Sequence, residues 1–166
     1  MGESLLLITI VTLVVVAIRR ARPVILENPV IIQRPGQYHI TLAPQLNRAQ
    51  TFVEQIARQF LQLQPPAGDS PSQYFEVRDP KVFAKGQSLY LLAITLRDGM
   101  LYFQAVNPEP GTGSHYKTVR EFSESALLQH PVSQPVGEPW IEKLRAVVDT
   151  VAGQLQITVK ILPQAD

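Results

Sequence analysis

Apolar and polar positions divide this chain into two unequal parts. From Ser4 to Ile18, SLLLITIVTLVVVAI, fifteen consecutive residues carry no charge, and only Ser4, Thr9 and Thr12 bear hydroxyls. A helix packed on a globular core keeps a polar face, and this run has none. As a helix it spans roughly 22 Å, or roughly 27 Å counted from Met1, at the short end for a ~30 Å hydrocarbon core. Arg19, Arg20 and Arg22 follow at once, and their long stems reach toward headgroups. A cleaved signal peptide places its basic residues before the apolar run and small residues at the cut; here only Glu3 precedes and no A-x-A stands near Ala17. A pilin-like start lacks its basic leader, and Leu6 stands where myristoylation favours Ser or Thr. The pattern predicts an uncleaved transmembrane anchor over residues 1–22. Its three trailing arginines place the N-terminus outside and the remainder on the cytoplasmic side.

After a connector over residues 23–29, the pattern changes to short alternating runs. Val30–Gln33 and Gln37–Leu42 read as strands around a Pro35–Gly36 turn, a hairpin signal. Gln45–Leu63 predicts the clearest helix, with Leu46, Ala49, Phe52, Val53, Ile56, Ala57, Phe60 and Leu61 on one stripe. Pro65–Pro71 reads as an exposed loop. Tyr74–Arg78, Ser88–Leu96 and Met100–Val106 are predicted strands, the last two joined by Arg97-Asp98-Gly99, because Asp-Gly tolerates the positive φ of a tight hairpin turn. In Ser88–Leu96 both alternating sets are largely apolar, which predicts a central strand covered on each face, one cover being a possible partner. Thr118-Val-Arg-Glu121 has capping-box spacing for a short helix to about residue 129. Pro139 opens a helix striped by Trp140, Ile141, Leu144, Val147, Val148, Val151 and Leu155, and Gln156–Leu162 closes the chain as a strand.

The predicted architecture is therefore α+β: a single N-terminal transmembrane helix, then one soluble domain over residues 30–166 with a mostly antiparallel sheet and two to three helices. Composition narrows the possibilities. The chain carries a net charge of +1, but without Glu3, Arg19, Arg20 and Arg22 it holds twelve basic and thirteen acidic residues, which argues against nucleic acid as a partner. There is no cysteine, so disulfides, thiolate metal ligands and thiol nucleophiles are excluded.

Candidate chemistry adds little. Gly111-Thr-Gly-Ser-His-Tyr-Lys117-Thr118 approximates a phosphate-binding loop, but Tyr116 occupies the glycine position where the backbone must wrap the phosphates. His39, His115 and His130 have no helical metal-pair spacing. No G-x-S-x-G elbow occurs. Glu121–Glu124 and Glu138–Glu142 lie at helix starts, where the macrodipole accounts for acidic residues. No catalytic residue, metal or cofactor is assigned. Arg19, Arg20 and Arg22 are read as the membrane flank, and Trp140, Tyr90 and His39 as possible interface residues.

These features predict a non-enzymatic, membrane-anchored accessory, assembly or scaffold subunit that docks its soluble domain on a larger membrane complex. Its partners are the membrane and other proteins, with homo-oligomerisation left open. The alternatives are an enzyme with dispersed site residues acting near the membrane, or a regulatory ligand-binding module with Asn107–His115 as a lid.

Overall fold

The computed structural model describes residues 28–34, 37–65, 67–83, 88–107 and 136–163. The predicted anchor over residues 1–22, the connector up to residue 27, the loop at 111–118 and the helix expected at 118–129 lie outside the described residues.

Among the described residues six strands form one sheet: β1 Val30–Arg34, β2 Tyr38–Leu42, β3 Gln73–Arg78, β4 Leu89–Arg97, β5 Met100–Val106 and β6 Thr158–Leu162. Their spatial order is β1-β2-β5-β4-β3-β6. Two α-helices complete the α+β fold among the described residues, α1 over Gln50–Leu61 and α2 over Glu138–Leu155. The sheet is mixed. Four pairings are antiparallel, and β2 runs parallel to β5. That parallel seam sets the β1–β2 hairpin beside the β3–β4–β5 meander, with α1 in the crossover between them.

Local chemistry accounts for most element ends. The β4–β5 hairpin turns at Asp98 and Gly99, both at positive φ, so Arg97 pairs with Met100 and each later residue falls opposite its partner. Helix α2 starts at an extended Gly137 with Pro139 in its first turn, where a missing N–H costs no helical bond. It ends at Gln156 in the left-handed conformation, and the Ile157 N–H then reaches back to the Ala152 carbonyl at 2.8 Å. Strand β6 consequently begins at Thr158 rather than Gln156.

The first helix is shorter than the stripe predicts. Pro44–Ala49 winds as a 3-10 segment, with Leu46 outside helical geometry, and regular α-helix begins only at Gln50. Since a 3-10 turn repeats every three residues, Leu46 and Ala49 still share one side, and both are buried with the rest of the stripe.

Both helices pack against each other and belong to the same core as one sheet face. From the strands come Ile40, Leu42, Phe75, Leu92, Ile94 and Phe103; from the helices, Phe52, Ile56, Phe60, Leu144, Val148 and Val151. A fully buried Leu, Ile, Val or Phe contributes about 1.5–3 kcal/mol, so this core dominates the stability of the fold. The other sheet face carries a smaller cluster, Tyr74, Leu91, Ala93, Val106 and Leu162. Strand β4 is thus buried on both faces between its half-buried ends, as its two apolar sets predict.

The Pro65–Pro71 connector departs from the expectation of an exposed loop. Asp69 and Ser70 are buried because they are stitched to the end of β4. Ser70 N–H donates to the Leu96 carbonyl at 2.8 Å, Leu96 N–H donates to Ser70 Oγ at 3.0 Å, and Asp98 N–H donates to Asp69 Oδ1 at 3.3 Å. Backbone groups buried there need partners, and these residues supply them.

Candidate functional site

Three places bring polar side chains together. The first is the sheet face opposite the helices. Cross-strand register sets Thr41, Gln104, Ala93 and Tyr74 in one row, and His39, Tyr102 and Thr95 in the next. Thr95 Oγ1 lies 2.7 Å from Ser72 Oγ, which extends the second row. The His39 and Tyr102 rings are 5.8 Å apart and tilted by 40°, an ordinary cross-strand aromatic contact. His39 is half-buried rather than open to solvent.

The second place joins the start of α2 to β3. Arg145 Nη2 donates to Gln73 Oε1 at 2.8 Å, and Arg145 Nη1 lies 3.5 Å from Glu138 Oε1. Gln73 is buried on the helix side of its strand, so the arginine satisfies an amide that water does not reach. Val136 N–H adds a bond to the Asp69 carbonyl at 2.9 Å. Sequence reading could not anticipate this junction, because Gln73 and Arg145 are 72 residues apart.

The third is a cavity of about 390 Å³ where the start of α1 meets the end of α2. Arg48, Thr51, Asp79 and Lys81 give it polar groups, with Phe52 and Ile157 among its apolar lining. Asp79 is buried, yet its carboxylate serves the backbone. Oδ1 accepts the Lys81 N–H at 2.9 Å and so closes the Asp-Pro turn after β3. Arg48 Nη1 reaches the Lys81 carbonyl at 3.4 Å.

Of the residues singled out as possible interface, the structure separates all three. Tyr90 is 0% exposed and stands in the core under the helices, which removes it from the domain surface. Its hydroxyl has no hydrogen-bond partner among the described residues. Burial first, and the Asp79 charge second, push its ionisation far above the ordinary tyrosine range. Trp140 is half-buried against the core, and Lys143 Nζ stands 4.3 Å from its ring centroid as a cation–π cover. Among the described residues no three His, Asp or Glu side chains converge as metal ligands. Glu138 is engaged by Arg145, and Glu142 is exposed one turn on. Arg19, Arg20, Arg22, His115 and His130 lie outside the described residues. No described helix is long and apolar enough to cross a membrane.

No protein-family model matches the chain, and no curated protein or solved structure is significantly similar to it.

Proposed function

We propose that this protein is a membrane-tethered accessory, assembly or scaffold subunit whose α+β domain docks on other proteins at the bilayer surface. The observation that carries the reading is the uncharged run Ser4–Ile18 with Arg19, Arg20 and Arg22 behind it, joined by a short connector to the α+β domain. A run of that length followed by arginines fits insertion with the domain on the cytoplasmic side. Tethering raises the effective concentration of any surface partner, so a modest contact area is enough for docking. Three of the polar groups described above fit the same reading, since they hold elements together: Asp79 in a turn, Arg145 on Gln73, Thr95 on Ser72.

The test has two steps. Washed with alkaline carbonate, membranes holding the full chain should retain it in the pellet. Solubilised in several mild detergents, it should then migrate in native electrophoresis above the position of a single 18.5 kDa chain. Release by carbonate sinks the tether; solitary migration in every detergent sinks the docking role.

A further inference from the structure

The sheet has two open edges among the described residues, β1 and β6, and they are built differently. Strand β6 is Thr-Val-Lys-Ile-Leu, with an exposed Lys160 at its middle position and Pro163 directly after it. An edge lysine and a terminal proline are common devices against edge-to-edge pairing. Strand β1 is Val-Ile-Ile-Gln-Arg, with Ile31 57% exposed and its only charge at the last position.

We infer that β1 pairs antiparallel with β1 of a second copy of this chain, joining two six-stranded sheets across a twofold axis. Self-complementarity selects that occupant. In a full five-residue overlap Ile32 falls opposite Ile32 of the other copy and Val30 opposite Arg34, so no like charges meet. The same operation on β6 sets Lys160 against Lys160. In the β1 pair the two Ile31 side chains lie on one face as diagonal neighbours, which removes much of their exposed surface from water.

A five-residue ladder alone is a small interface. The inference therefore rests on the membrane-held reading for the local concentration that lets it form. The geometry suits that placement. The two Val30 residues stand about 14 Å apart in the pair. The seven connector residues between Arg22 and Val30 reach up to about 25 Å, so both chains can descend to one bilayer.

The cysteine-free sequence makes the test clean. Full-length Ile32→Cys and Lys160→Cys variants, each in native membranes, are oxidised gently and run without reductant. Directly opposed antiparallel residues have Cα atoms about 4.5–5.5 Å apart, within disulfide reach. The expected result is a disulfide dimer for Ile32→Cys and none for Lys160→Cys. Ile31→Lys added to the Ile32→Cys background should abolish most of the cross-link. Since Ile32 leans on the core, Ile31→Cys with a bismaleimide spanning about 8 Å gives a second readout at an exposed position. No dimer from either β1 variant, while carbonate leaves the chain in the pellet, overturns the pairing. Equal dimer from Lys160→Cys overturns it too, as does β1 cross-linking only to a polypeptide of another mass. Carbonate release overturns the tether instead, so the two failures are distinguishable.

Discussion

Leu91 and Leu92 are neighbours on β4 and both are buried, yet they face different surroundings. Leu92 points into the helix-covered core, between Ala105 and Phe75 on the adjoining strands. Leu91 points the other way, between Val106 and Glu76. On the helix side the register rows of the central strands are aliphatic and aromatic almost without exception. On the opposite side the rows interleave Thr41, Gln104, Tyr74, Thr95, Tyr102 and His39 with a few aliphatic residues. Burial alone therefore does not distinguish the faces; their chemistry does. An apolar face gains from exclusion of water and needs no directional partner. A buried hydroxyl or amide has to find one, as Thr95 does on Ser72.

Truncating each leucine in turn gives the largest test of that contrast. Leu92→Ala should cost about 4 kcal/mol, because the surrounding helices and strands cannot fill the space. Leu91→Ala should cost about 2 kcal/mol, since polar neighbours admit water to the vacated volume. Chemical denaturation of both variants measures the difference, and equal losses would erase the distinction between the faces. The next test concerns Tyr90, whose hydroxyl is buried on the apolar side with no partner among the described residues. An unfolded Tyr90 loses its proton near pH 10, whereas the folded one keeps it. Above pH 10 the unfolded state thus binds fewer protons, and stability falls by up to about 1.4 kcal/mol per pH unit. Tyr90→Phe should remove that alkaline loss and add about 1 kcal/mol at neutral pH by deleting an unpartnered hydroxyl. Thermal melts of both proteins from pH 7 to 11 report it, and parallel curves would contradict the buried, partnerless hydroxyl. Smallest is Thr95→Val on the opposite face, which deletes the Ser72 contact and should cost about 1 kcal/mol or less. A stabilised Thr95→Val protein would mean that the polar rows contribute nothing to that face.

Much of the fold is legible in the residues. Alternation over Ser88–Leu96 assigns Leu91 and Ala93 to one side and Leu92 and Ile94 to the other, as found. Asp98-Gly99 marks its turn, and Pro139 the first turn of α2. Three features escaped. The break at Leu46 is invisible because a 3-10 segment and an α-helix bury the same stripe there. Asp69 and Ser70 look like loop residues until β4 supplies their partners. Tyr90 fits an interface as well as a core by residue type, since its ring is apolar and its tip is not. Of the polar groupings, Asp79-Pro80 was visible as a strand end, while the Gln73–Arg145 bond had no sequence signal at all.

By itself the sequence determined where the described strands and helices lie and which side chains share a face, because periodicity and turn chemistry act over a few residues. It also set an uncharged run ahead of three arginines and left the chain without cysteine. Tertiary structure alone decided that β2 lies parallel to β5, that β1 and β6 are the edges among the described residues, and that Tyr90 is sealed beneath the helices. Strand neighbours are chosen by backbone groups that are identical at every residue. Their choice is settled only when distant segments compete to bury their apolar faces together.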